Sequence, residues 1–428
     1  MLPTTARLSG KQIRLSIYAA LSAFFVYSCM YAFRKPFTAA TYEGLFWGGL
    51  SYKVWLVMAQ TAGYALSKFY GIRFIAELQQ KGRRKLMLLL ILIAWLALLG
   101  FAIVPPPYNI FFLFVNGIPL GMVFGVVFSY LEGRRSTEFL GAVLASSFVF
   151  SSGFVKSVGK WLMVEQGSNW FWMPFATGAF FVAPMLAFTW LLDQTPGPDA
   201  DDLLARSPRR PMLAEDRLRF VAMFREGLIW LVLVYIMLTV LRDIRDNFAA
   251  EIWAEQGYGA LPAIFTATEI PVTLAVLAVT GLLVLVGDNL RALRLNHIFV
   301  LIGLLVAAFA TLAFRGEWIT APVWFACTGL GLYLGYVPFN CLLFDRLLAA
   351  FKYPGNVGFV MYVADSFGYL GSVSVLLVKE LTDVQWSWSA FFQWALMAVS
   401  LLGSVLMLRS WHFFRKKARA EPEPALSA

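Results

Sequence analysis

The sequence predicts an all-α polytopic membrane protein of twelve transmembrane helices arranged as two pseudo-symmetric six-helix bundles, and three observations predict it. The 428 residues are 60% hydrophobic and 14% charged, with mean hydropathy +0.69. That composition is too apolar to furnish both a core and a water-facing surface. Apolar runs of about 20 residues, the length that crosses a bilayer as helix, recur along the chain with one long polar interruption near its middle. A motif near the start also recurs: Tyr27 precedes Arg34 by seven residues, Tyr235 precedes Arg242 by seven, and the two arginines lie 208 positions apart (34 to 242). An offset near half the chain marks two structural repeats.

Arg7, Lys11 and Arg14 precede the first apolar run as in a signal peptide, but no small-residue cleavage site follows. An uncleaved first helix is therefore expected over roughly 13–45, with Arg34 inside the membrane depth. Spans at roughly 53–76, 85–104, 109–132, 138–163 and 170–192 complete a first bundle, residues 1–192. Residues 193–225 break the pattern with Pro196, Gly197 and Pro198, the acidic Asp199, Asp201 and Asp202, and the basic Arg206, Arg209 and Arg210. They read as a linker. Six further spans, at roughly 226–252, 262–287, 291–314, 320–347, 354–378 and 386–410, form a second bundle, residues 226–411. A basic tail, 412–428, carries Arg415, Lys416, Lys417 and Arg419. Gly121 and Gly125 match Gly331 and Gly335 at an offset of 210 (121 to 331), which fits the repeat; the same spacing also serves ordinary close packing of membrane helices.

The net charge of +10 is concentrated in the tails and in one set of connections, whereas the connection 104–109 carries no Lys or Arg. The positive-inside rule then places both termini and the linker in the cytoplasm. A multi-pass protein of the cell (inner) membrane is expected, working as a monomer in the lipid bilayer, and the charge needs no nucleic-acid partner. Cys29, Cys327 and Cys341 lie in apolar spans, so neither a disulfide framework nor a metal site is expected. The spans show no nucleophile–base arrangement or metal-spaced carboxylates, and the chain has no Gly-rich phosphate loop. We expect neither an enzyme nor a cofactor.

Ionisable side chains near the bilayer centre cost roughly 2.5–3.5 kcal/mol on insertion scales, so they face a cavity or a partner. Arg34, Lys35, Lys68, Lys156, Arg242, Asp243, Glu269 and Asp365 stand out in this way. A guanidinium stays charged when partly desolvated and matches two oxygens of a phosphate or carboxylate. Arg34 and Arg242, on related helices, could clamp one dianion; the alternative is that both form ion pairs or reach the interface, with Asp243 and Asp246 competing for Arg242. Lys156 and Glu269 lie at matching depths in the fifth and eighth spans and could pair across the halves, and Lys68 could pair with Asp365. Such pairs serve either as gates or as static ties.

The stretch Tyr31 through Phe37 with Arg34-Lys35, the sequence Tyr64-Ala65-Leu66-Ser67-Lys68-Phe69, and Arg242 in the seventh span resemble the organophosphate:phosphate antiporters of the major facilitator superfamily. The resemblance implies two six-helix repeats, with Arg34 and Arg242 binding a phosphoryl group and Lys68 nearby. Lys35, Tyr31 and Tyr64 complete the substrate-contact candidates; Lys156, Glu269, Asp365 and Asp243 are the gating or coupling candidates. The chain departs from that family in its fifth span, where Ser151 and Ser152 stand in place of a histidine. The expected function is secondary active transport of a small organic anion, an organic phosphate in exchange for inorganic phosphate, by alternating access. Two other readings remain open: a sugar-phosphate-binding sensor without transport, and a proton-coupled transporter of an unrelated solute using Asp365 or Glu269.

Overall fold

The computed structural model describes residues 9–76, 82–198, 202, 214–353, 357–382 and 386–420. Residues 199–201 and 203–213 of the expected linker, the end of the basic tail and the side chain of Lys68 lie outside the described residues.

Helix α1 (Gly10–Tyr31) opens with a capping box: Gln12 N donates to Ser9 Oγ (3.3 Å), and Ser9 N donates to Gln12 Oε1 (3.0 Å). It stops at Tyr31, well short of the expected residue 45. Pro36 lacks an amide hydrogen and its ring would collide with the carbonyl four residues back, which disfavours continuing the helix through it. Arg34 N and Lys35 N instead both donate to Tyr31 O, at 3.0 and 2.9 Å, and a 3-10 turn covers Pro36–Ala39. Arg34 and Lys35 therefore sit on a helix break. A two-stranded antiparallel ribbon follows, β1 (Phe46–Trp47) with β2 (Leu50–Ser51), turning at Gly48 and Gly49 with φ of 56° and 80°.

The first half continues with α2 (Tyr52–Ala76), α3 (Arg83–Ile103), α4 (Ile110–Leu131), α5 (Thr137–Val164) and α6 (Met173–Asp193). The second contains α7 (Ala214–Asn247), the short α8 (Ala249–Glu255), α9 (Ile264–Val284), α10 (Asn289–Arg315), α11 (Ala321–Pro338), α12 (Phe344–Ala350), α13 (Val357–Leu381) and α14 (Trp388–Ala420). A π-helical turn, Phe339–Leu343, joins α11 to α12 after Pro338. Counting α11 through α12 as one, ten helices among the described residues are long and apolar enough to cross a membrane. α2 and α13, 25 residues each, are the remaining two long helices.

The chain divides into two compact units, Met1–Ser207 with Ile244–Leu277 and Val373–Ser389, and Pro208–Asp243 with Ala278–Ser372 and Ala390–Ala428. In the first unit α2 lies against α4, α1 against α5 and α6, and α3 against α4 and α6. The α2–α4 approach depends on glycine: a Cβ at Gly63 would strike the Phe114 carbonyl, and one at Gly117 would strike the Gln60 carbonyl. In the second unit α10 lies against α11, with Gly303 and Gly331 each facing the other's carbonyl.

Candidate functional site

In the first unit the broken end of α1 leaves carbonyls that the helical ladder no longer serves, and inside a membrane such groups must find protein partners. Two buried amides supply them. Asn116 Nδ2, on α4, donates to Phe33 O (2.9 Å) and to Ala94 O of α3 (2.8 Å). Gln60 Nε2, on α2, donates to Arg34 O (2.8 Å) and to Asn116 Oδ1 (2.8 Å). The turn that presents Arg34 and Lys35 is thus fastened to α2 and α4, and through Asn116 to α3. The Arg34 guanidinium carbon lies 4.1 Å from the centroid of the Tyr64 ring and 5.7 Å from that of Tyr31. Both rings are within the range of a cation–π contact.

Lys35 points to the end of α7. Its Nζ is 2.6 Å from Asp246 Oδ2 and donates to Asn247 Oδ1 at 2.7 Å. Lys156 Nζ, from α5, meets Asp246 Oδ1 and the Asp246 carbonyl, each at 2.5 Å, and Ser152 Oγ donates to the same carboxylate. One carboxylate therefore serves two buried ammonium groups. Glu269 pairs with Arg245 (2.7 Å) and not with Lys156, and Gly153 packs directly on Glu269 and the Phe265 carbonyl. Lys53, at the start of α2, is fully buried; its Nζ meets Glu251 Oε2 of α8 at 2.6 Å and donates to Thr38 O at 3.0 Å. Each pair is buried, so removing one member would strand the other.

In the second unit Arg242 lies with its guanidinium carbon 4.1 Å from the Tyr336 centroid. Its Nη2 meets Asp243 Oδ1 at 2.6 Å, and Ser372 Oγ donates to Asp243 Oδ2 at 2.7 Å. Tyr235 OH donates to Asp365 and lies 3.4 Å from Tyr336 OH. Asp365 is thereby tied to the ring on which Arg242 rests.

Of the residues singled out from sequence, Arg34, Lys35, Tyr31, Tyr64, Lys156 and Glu269 fall in the first unit, and Arg242, Asp243 and Asp365 in the second. Sequence reasoning passed over Gln60 and Asn116, which are uncharged, and over Lys53, Arg245 and Glu251, which stand near predicted span ends. It weighed Asp246 only as a rival for Arg242. The available signal was polarity within an apolar run; the partners lie on other elements of the chain and carry no local mark.

A family model described as a family of unknown function (DUF5690) matches residues 36–417. No curated protein matches the chain. Among solved structures, it is similar to a D-xylose-proton symporter, with TM-score 0.61 and 15% identity over 94% of this chain and 97% of that one. It is also similar to the proton:xylose symporter XylE of the major facilitator superfamily bound to 6-bromo-6-deoxy-D-glucose, with TM-score 0.56 and 13% identity over 94% and 95%. A third similar structure is the human organic anion transporter MFSD10 (TETRAN), with TM-score 0.50 and 13% identity over 93% and 98%. At such identities the shared property is the fold: an all-α polytopic membrane fold of twelve spans in two six-helix bundles.

Proposed function

We propose that the chain, which belongs to the family of unknown function DUF5690 and has the major facilitator fold, is a secondary transporter that carries a small organic anion across the membrane by alternating access. The observation that carries this reading is the repeated arginine. Arg34 and Arg242 occupy equivalent positions in the two repeats, and each guanidinium lies 4.1 Å from a tyrosine centroid, on Tyr64 and Tyr336 respectively. An aromatic face holds a guanidinium in place while leaving its planar donors to an oxyanion.

In this reading Arg34, Arg242, Lys35, Lys68, Tyr31 and Tyr64 contact the substrate, an organic phosphate exchanged for inorganic phosphate. Lys156, Asp243, Glu269 and Asp365 serve gating or coupling. The bundles are residues 1–192 and 226–411, joined by the linker 193–225 and followed by the tail 412–428, with both termini in the cytoplasm and the monomer as the working unit. The human neighbour is an organic anion transporter, which agrees with an anionic substrate here. A second reading, proton-coupled transport, is favoured by the hydrogen bond of Asp365 to Tyr235 inside a span and by the proton coupling of the two xylose symporters.

Counterflow of labelled phosphate in proteoliposomes tests the proposal. Exchange is expected with the natural sequence and is expected to be lost in folded Arg34→Gln and Arg242→Gln. No exchange by intact protein would remove phosphate antiport. Uptake driven by a pH gradient in the same vesicles, and abolished by Asp365→Asn, would replace it with proton coupling.

A further inference from the structure

We infer that Asp243 sets the charge of the anion that the transporter accepts, an inference that rests on the reading of Arg242 as a substrate contact. The repeat itself points to this residue. At the offset of 208 that relates Arg34 to Arg242, Lys35 corresponds to Asp243 (35 to 243). One arginine is followed by a cation, the other by an anion.

The structure shows what that exchange of sign does. Consecutive residues on a helix do not ordinarily face one another, yet Arg242 Nη2 and Asp243 Oδ1 are 2.6 Å apart. The carboxylate is held in that pose by Ser372 Oγ, which donates to Oδ2 at 2.7 Å. A guanidinium offers five hydrogens in two forks that share Nη2. Commitment of one Nη2 hydrogen to Asp243 leaves a single fork for a ligand, and the Tyr336 ring covers one face. Any oxyanion on the remaining fork sits within a few ångströms of a fixed negative charge. In the first unit the residue after the arginine is a cation: Lys35 lies against Asp246, which Lys156 also meets. The two arginines are therefore unequal. Arg34 is followed by a cation, whereas Arg242 lies beside a carboxylate that repels each added negative charge. At about 6 Å and an effective dielectric near 20, one unit of negative charge corresponds to a change in binding on the order of a hundredfold, and somewhat less with screening. Asp243 thus restrains the preference for a doubly charged phosphate over a singly charged one.

Methyl phosphate, a dianion near pH 8, and dimethyl phosphate, a monoanion, isolate this charge with little change of shape. Each would be titrated as a competitor of labelled phosphate exchange, and as a ligand raising the unfolding temperature of the purified protein, with the natural sequence, Asp243→Asn and Asp243→Ser. Asn keeps the shape and the acceptor toward Nη2; Ser provides a second neutral variant should Asn fold poorly. The expected result is a rise of at least tenfold in the methyl over dimethyl phosphate preference in a folded neutral variant. An unchanged ratio, or equal weakening of both ligands, overturns the role of Asp243 while exchange by the natural protein leaves the transport reading standing. No effect of either anion on the natural protein, together with no exchange, overturns both.

Discussion

Replacing Asn116 with Leu tests the anchoring of the α1 break most directly, because Leu keeps the heavy-atom count and the branching at Cγ while removing the polar contacts. Asn116 makes three hydrogen bonds: two as donor, to Phe33 O and Ala94 O, and one as acceptor from Gln60. A buried hydrogen bond contributes about 1 kcal/mol net, so Asn116→Leu should cost about 3 kcal/mol. Gln60→Leu removes two bonds, to Asn116 and to Arg34 O, and should cost about 2 kcal/mol. The Gln60–Asn116 bond is common to both, so the double variant loses four distinct bonds where the single variants together count five. A coupling near 1 kcal/mol follows. Equilibrium unfolding in mixed detergent micelles would measure all three variants. A cost for Asn116→Leu of less than about 1 kcal/mol, or strict additivity of the two changes, would refute the shared network.

Asp246→Asn takes the shared carboxylate from the ammonium groups of Lys35 and Lys156 and should destabilise by about 3–5 kcal/mol, with partial recovery when Lys156→Met is added; the same unfolding assay reads both, and recovery failing in the double variant would count against the shared carboxylate. Gly117→Ala places a methyl against the Gln60 carbonyl and should cost about 1–3 kcal/mol by forcing α2 and α4 apart, whereas Gly281→Ala, whose Cβ would meet open space, should be neutral or slightly stabilising. Equal stabilities for these two glycine variants would contradict the close α2–α4 approach.

The helical spans were legible because a membrane enforces length and apolarity on every crossing segment. Their interruptions were partly legible: Pro36 marks where α1 must stop, yet apolar residues continue beyond it, so hydropathy alone carried the expected helix through to residue 45. The arginine repeat was visible as a spacing. The partners of the buried charges were not. A matching depth was expected for Lys156 and Glu269, but depth fixes only one coordinate; Lys156 meets Asp246 and Glu269 meets Arg245. Lys53 and Glu251 are 198 positions apart, and nothing local in either segment announces the other. Gln60 and Asn116 escaped notice because an amide in an apolar run is a weaker signal than a charge, although here it holds the turn that carries the charges.

That division of labour at the α1 break separates position from charge. The backbone of Phe33 and Arg34 is held by side-chain amides, which do not ionise and whose hydrogen bonds depend little on salt. The side chain of Lys35, one residue on, is held by contacts with a different part of the chain, the ion pair with Asp246 foremost among them. Removal of the Asp246 carboxylate would therefore loosen Lys35 while the frame from which Arg34 projects keeps its hydrogen bonds. Adjacent residues are thus a mount fixed by neutral amides and an arm held chiefly by charge.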